Sequence, residues 1–282
     1  MTRPFILLTV AWSPLAAAAG ITFSTPETVI HGPPSAIRLA ISPDGAHQLW
    51  GEPRAPEDGG LDIRERRRLA DGWSEPEDVA FNSPWNDFDP AFAADGSGVY
   101  FFSDRPGGLG GDDIWFVPLE GGAWGEPVNL GAPVNTPTDE WAPTPLPDGR
   151  LLFSSDGHPG LGGHDLYVSA PAAGGWTEPE NLGAPVNSAT HDYDAVLLPE
   201  GSLVLTRSDD PERGSELFWS CRLNAGYGRP ERVDELNPGG GWALGPSIAF
   251  HEPGVLYFSA REPDAANIRI YRVAYTTDCP GA

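Results

Sequence analysis

The chain has 282 residues, with 40 Asp and Glu against 17 Lys and Arg and a formal charge of −23. That sign argues against nucleic acid as a partner, because phosphate binding needs a basic footprint. It fits solubility, cation binding or a basic partner. The 35 Gly and 31 Pro would suggest disorder in an aperiodic chain, but here they recur at fixed turn positions and so predict an all-β fold.

Residues 1–19 read as a secretory signal peptide. Arg3 precedes the apolar stretch 5–12, and Ala17, Ala18 and Ala19 offer small residues before Gly20. The stretch is too short, and too broken by Ser13 and Pro14, to span a bilayer, so no membrane span is expected in the mature chain. Export makes Cys221 and Cys279 a plausible disulfide, with two free thiols as the alternative.

From residue 43 onward one pattern returns. Turns Pro43-Asp44-Gly45, Ala94-Asp95-Gly96, Pro147-Asp148-Gly149 and Pro199-Glu200-Gly201 have middle residues 51, 53 and 52 positions apart, and Glu252-Pro253-Gly254 is a weaker fifth copy. Each precedes a short apolar run such as Val99-Tyr100-Phe101-Phe102, read as a strand buried on both faces. A third strand follows, opening with Asp113-Ile114-Trp115 or Asp165-Leu166-Tyr167. The fourth carries an aromatic three residues before a proline: Trp73 and Pro76, Trp124 and Pro127, Trp176 and Pro179, Tyr227 and Pro230. Proline cannot donate to a ladder, which suits an outermost strand.

The last unit lacks this fourth strand, and the missing copy is Phe23-Ser24-Thr25-Pro26 near the N-terminus. The period and the displaced strand predict a five-bladed β-propeller of four-stranded antiparallel blades. Residues 20–30 are expected to supply the outer strand of the last blade, within one domain spanning 20–282. The blades are placed at about 35–80, 86–130, 139–182, 191–235 and 242–276.

The loops entering the innermost strands hold the unusual chemistry: Trp85 with Asp87 and Asp89, then Asp139, Glu140 and Trp141, then His191, Asp192, Tyr193 and Asp194, and finally Trp242. Ringing one mouth of the channel, they form a candidate binding rim for a basic peptide, a metal ion or a sugar. Two carboxylates could also hydrolyse a glycoside. Recurrence of similar acids in three successive blades argues instead for a hydrogen-bond network, since a general acid and a nucleophile need different environments. Asp104, Asp112 and Asp113, echoed by Asp156, His164 and Asp165, bracket glycine-rich loops and are expected to cap turns rather than bind metal. His31, His47 and His251 lack ligand spacing, and neither a catalytic motif nor a cofactor site is found.

The stretches 102–115 (Phe-Ser-Asp-Arg-Pro-Gly-Gly-Leu-Gly-Gly-Asp-Asp-Ile-Trp) and 127–136 (Pro-Val-Asn-Leu-Gly-Ala-Pro-Val-Asn-Thr) resemble the WD40-like propeller repeat named for its Pro-Asp turn. That repeat occurs in TolB-type periplasmic proteins and in outer-membrane proteins of the OmpA type. The resemblance covers nearly all the mature chain. It implies a periplasmic or secreted, non-catalytic propeller that binds an envelope protein or peptide, with a carbohydrate-active propeller, lectin-like or hydrolytic, as the alternative.

Overall fold

The computed structural model describes residues 20–30, 35–55, 57–239 and 241–279. The expected signal peptide at 1–19 and His31 lie outside them. Apart from one short 3-10 turn at Asp234–Leu236, the regular structure of the described residues is β, and none of their helices is long and apolar enough to cross a membrane.

Among the described residues five antiparallel meanders follow one another. Their innermost three strands are Ile37–Ile41, His47–Pro53 and Leu61–Leu69; Asp87–Phe92, Gly98–Ser103 and Asp113–Glu120; Glu140–Pro145, Leu151–Ser155 and Asp165–Ser169; His191–Leu197, Leu203–Asp210 and Gly214–Ser220; and Trp242–Ile248, Val255–Arg261 and Arg269–Asp278. The Pro-Asp-Gly triplets make the tight turn between the first and second strands. Gly45, Gly96 and Gly149 have φ of +70°, +74° and +87°, a region costly for any residue with a Cβ. The aspartate ahead of each accepts a backbone N–H two residues on, at 2.9–3.1 Å, from Ala46, Ser97 and Arg150.

The fourth strand departs from expectation, because it is two short pieces rather than one. Gly72–Trp73 and Glu77–Asp78 both pair with Leu61–Leu69, and Ala123–Trp124 and Val128–Asn129 both pair with Asp113–Glu120. The residue after each aromatic still donates to the third strand, as Ser74 does to Arg67 at 2.9 Å and Gly125 to Pro118 at 2.8 Å. The proline two residues later has no N–H to continue the ladder, so the edge opens there. The N-terminus repeats this on the last sheet. Gly20–Phe23 and Glu27–Ile30 both pair with Arg269–Asp278, Phe23 opposite Tyr275 and Glu27 opposite Arg272, while Ser24 donates to Ala274 at 2.8 Å.

An asparagine completes each interrupted edge. Asn82, Asn135, Asn187 and Asn237 each accept from the N–H and donate to the C=O of one third-strand residue (Ile63, Ile114, Leu166 and Leu217) at 2.8–3.1 Å. One side-chain amide thus replaces a backbone pair where the chain turns inward to the next sheet. In the fifth sheet Ser35 and the Ala36 N–H take that place on Ile268.

The core is divided among the sheet interfaces. Leu49, Ile63, Phe92 and Phe101 fill the first-to-second interface, and Ile114, Phe153 and Tyr167 the second-to-third. Leu166, Leu203 and Leu205 join the third to the fourth, and Leu217, Trp219, Leu256 and Phe258 the fourth to the fifth. Leu39, Trp50, Val255 and Tyr257 then join the fifth sheet back to the first.

The outer-strand aromatics lie across these seams. Trp124 packs edge-on to Phe81, with centroids 5.1 Å apart, and its N–H points at the Glu65 carboxylate of the preceding sheet at 3.4 Å. Burial alone would raise Glu65. Its hydrogen bond with His47, the charges of His47 and Arg67 and the Trp124 N–H more than offset that and hold it below the usual range. Because Trp124 is half-buried, Trp124→Ala should cost about 3 kcal/mol, the lower end for a large aromatic. A loss below about 1 kcal/mol in urea melts would show that the seam does not depend on the ring.

Cys221, after the third strand of the fourth sheet, is bonded to Cys279, past the last strand of the fifth. The bridge spans 58 residues and ties together the two sheets beside the N-terminal strand. In the chain-entropy account a loop of that size contributes about 4 kcal/mol. Reduction should therefore lower the urea midpoint, and an unchanged midpoint under reductant would mean that the bridge adds nothing.

Candidate functional site

Every innermost strand carries a bulge at the same register. The residues there, Arg38, Asp89, Ala142, Asp194 and Gly245, all have positive φ, from +44° to +60°. Gly adopts this region freely and Asp with modest strain, whereas Arg38 and Ala142 each give up about 1–2 kcal/mol. The bulges gather backbone and side chains from all five sheets on the molecular axis.

Arg38 is the centre of that gathering and is 2% exposed. Its Nη1 donates to Asp194 Oδ1 at 3.2 Å, and its Nη2 to the Pro143 carbonyl at 2.9 Å and to Thr144 Oγ1 at 2.7 Å. Its backbone N–H reaches Ser259 Oγ at 2.9 Å, while Asp194 Oδ2 accepts the Gly245 N–H at 3.0 Å. A Cβ on Gly245 would stand 3.1 Å from that of Arg38, so the glycine serves close approach as well as φ. Asp89 completes the set from the second sheet, hydrogen-bonded to Asp194. Burial and the neighbouring Asp194 charge push Asp89 well above the carboxylate range. Burial also raises Asp194, against the pull of Arg38. The stronger push falls on Asp89, while Asp194 is the one hydrogen-bonded to the Arg38 guanidinium.

The remaining residues of the sequence-derived rim sit at the opening ends of these strands, and most are covered. Asp87, Glu140 and Asp192 have no exposed surface. Each accepts the N–H and the hydroxyl of the residue four positions earlier, Ser83, Thr136 or Ser188, at 2.5–2.8 Å. Arg105 pairs with Asp87, Ser155 donates to Glu140 at 2.6 Å, and Arg207 to Asp192 at 2.6 Å. These acids cap the inter-sheet connections. Together with Asp89, Asp194 and the buried Tyr193 they are shut off from any ligand at that mouth, which corrects the expectation of an exposed acidic rim. Asp139, Trp141, His191 and Trp242 keep partial exposure.

Trp141 anchors that end. Its N–H donates to Asp112 Oδ2 at 2.9 Å, and its ring stacks on His164 at 3.8 Å between centroids. Burial pushes Asp112 up to about 6, the Trp141 hydrogen bond opposing, and burial lowers His164 to about 4, so that imidazole is neutral. His191 Nδ1 accepts the His164 N–H at 3.2 Å, Asp139 Oδ1 accepts the Asp112 N–H at 2.9 Å, and Arg261 lies over the Trp242 ring at 5.5 Å. Asp113 and Asp165 cap the glycine-rich loops through the Leu109 and Leu161 N–H groups. Among the described residues no three His, Cys, Asp or Glu side chains are grouped to hold a metal ion.

The opposite end of the axis is open. A small recess of about 60 Å³ is lined mainly by apolar side chains, among them Ile41, Phe92, Leu146, Leu197, Ile248 and Phe250, with Arg38 and Thr144 at its base. From its wall the strands lead into the turns that carry Asp44, Asp95 and Asp148. Hydrogen bonds from Ser42, Ser97 and Arg150 hold those carboxyls below their usual range, so they are ionised. Sequence reasoning missed both Arg38 and this recess. The one available signal was that Arg38 stands 51 positions before Asp89, in step with the repeat.

No family model matches the chain, and no curated protein matches its sequence. Solved structures match the fold. A putative TolB from Agrobacterium tumefaciens is 16% identical over 87% of this chain and 81% of its own, with a TM-score of 0.52. The catalytic domain of a Coprinopsis cinerea GH62 α-L-arabinofuranosidase is 11% identical over 94% and 100%, at 0.55. A Podospora anserina α-L-arabinofuranosidase in complex with cellotriose is 12% identical over 86% and 91%, at 0.53. At these identities the likeness establishes a β-propeller fold and nothing about chemistry.

The axial cluster makes an asymmetric prediction. Asp89→Asn keeps a donor toward Asp194 at a position where Asn tolerates positive φ, so it should stay within about 1 kcal/mol of wild type at neutral pH. Asp194→Asn leaves Arg38 buried without a counter-charge and should cost about 3–5 kcal/mol. Because the folded Asp89 value is raised, its contribution is complete below the unfolded value of about 3.9 and is lost as pH climbs toward the folded value. Wild type should therefore lose ground to Asp89→Asn between acidic and neutral pH. Urea melts across pH with no such divergence would show that Asp89 is ionised in the fold.

Proposed function

We propose that the chain is an exported, five-bladed propeller, closed by its N-terminal strand pair as the outer strand of the last blade, and that it serves as a non-catalytic scaffold for an envelope protein or peptide. The cyclic order of the sheet interfaces supports the ring, and the pairing of residues 20–30 with the last strand supports the closure. The observation that carries the non-catalytic reading is the state of the axial carboxylates. Asp89 and Asp194 are buried against each other and Arg38, and Asp87, Glu140 and Asp192 are consumed as caps. A glycosidase needs two accessible carboxyl groups about 5–10 Å apart across its substrate. The accessible recess on the axis is apolar instead, and such a surface beside ionised turn aspartates suits an apolar side chain on a segment with basic flanks.

A carbohydrate-active propeller is the second reading, and Asp112 favours it. A carboxyl pushed up to about 6 beside Asp139 falls in the range of a general acid. One experiment separates the two. Cross-linking capture from envelope extract should recover a partner with wild type, less of it at high salt, and none with Phe250→Glu at the recess mouth. Capture that survives Phe250→Glu would move the binding face elsewhere. Hydrolysis of an aryl arabinofuranoside by the purified protein, abolished by Asp112→Asn, would replace the scaffold reading with the enzymatic one.

A further inference from the structure

All 17 basic residues are arginine, set among 40 acids, and in such a chain a guanidinium is normally claimed by a carboxylate. Arg38, Arg54, Arg64, Arg67, Arg105, Arg150, Arg207, Arg213, Arg232 and Arg272 are so paired. Arg66 and Arg68 are not. They lie two residues apart on the strand Leu61–Leu69 and therefore on one face of it. Both stack on Trp73, at 5.0 and 5.3 Å from its ring, and Arg66 also lies 5.6 Å from the Trp50 ring. Gln48, 5% exposed, accepts the Arg66 Nε–H at 2.7 Å, which fixes the fork and leaves its two terminal amino groups unclaimed. Burial without a counter-charge lowers Arg66 from the usual arginine range, an unrepaid desolvation cost.

Arg68 and Trp73 face a cleft of about 340 Å³ between the fifth and first sheets, with Gln48, His251, Glu252, Tyr257 and Arg272 also lining it. Its one carboxylate, Glu252, is already engaged by Arg272 and by the Tyr257 hydroxyl. The cleft is thus locally cationic on a molecule of charge −23, where the overall field repels anions and only a short-range, shaped site can hold one.

We infer that the cleft lined by Arg68 and Trp73, with Arg66 stacked on the same ring beside it, binds an oxyanion group, carboxylate or phosphate, carried by a small ligand. Guanidinium forks match both groups bidentately, and stacking on Trp73 preorganises them. This site lies between two sheets, not on the axis, and stands independently of the scaffold reading.

Calorimetric titration at about 0.15 M salt, where repulsion by the rest of the surface is screened beyond about 8 Å, tests it. The probes are inorganic phosphate and glucuronate, with glucose as the neutral control. Millimolar binding of either anion but not of glucose is expected. Arg68→Gln, at an exposed position that the fold does not need, should weaken it at least about tenfold, as should Arg66→Gln, while Arg213→Gln on the surface should not. Phosphate alone binding would assign a tetrahedral group, and both anions binding would assign oxyanions generally. No heat from either up to about 20 mM, or equal binding by wild type and a folded Arg68→Gln, would overturn the inference.

Discussion

The buried charge cluster at Arg38 is the constraint on which the rest of the structure depends. A guanidinium held out of water on the axis must be matched in charge and in hydrogen bonds, and its partners come from three other sheets. No two neighbouring sheets could satisfy it. Asp194 faces the guanidinium, Pro143 and Thr144 accept from the second amino group, and burial beside Asp194 pushes Asp89 well above the carboxylate range. Packing at the seams is interchangeable in kind, since each seam is apolar and built from similar residues. The axial cluster is not, because Arg, Asp, Ala, Asp and Gly occupy five equivalent positions and only that set gives one guanidinium, a carboxyl partner for it and room for both.

Reaching the axis demands backbone strain, and the repeat distributes it evenly. One bulge per innermost strand turns a side chain inward, at a φ that Asp and Gly accept and that Arg and Ala do not favour. The surrounding ladder over-determines these five residues. Its turns are fixed by Asp and Gly, its edges by side-chain amides, and its ends by the pairing of Gly20–Phe23 with the last strand. The same economy explains much of the acidity. Asp87, Glu140, Asp192, Asp113 and Asp165 are carboxyl groups used as acceptors for backbone N–H groups that the chain must leave unpaired as it passes between sheets.

Consuming carboxylates as caps divides the two ends of the axis. At the end where the innermost strands begin, Trp141, His164, Asp112 and His191 interlock into a layer that keeps only partial exposure. At the other end the chain departs through terse turns that cannot fold back over the axis, so the apolar walls of the recess stay open. The division follows from loop length. Long connections carry enough side chains to roof the axis, and three-residue turns do not.

The elements themselves were legible in the chain. The Pro-Asp-Gly period, the aromatic three residues ahead of a proline, and the copy of that motif at residues 23–26 depend on local physics: a φ only glycine accepts, a missing N–H, an alternating strand. Asn82, Asn135, Asn187 and Asn237 were equally periodic and went unread, because an amide that imitates a backbone pair looks like any turn asparagine until the third strand lies beside it. The site was less legible. Asp87, Asp89, Glu140, Asp192 and Asp194 recur at matching positions of the repeat, but spacing is blind to depth. An acid that meets solvent and one that meets Ser83 or Arg38 have the same neighbours in sequence. What the sequence by itself determined was the period, the all-β character and the strand left over at the N-terminus, all set by residues within a few positions of one another. Only the tertiary structure decided which charges face water, since burial and partnership at the axis join positions as far apart as Arg38 and Ser259, which no local pattern can relate.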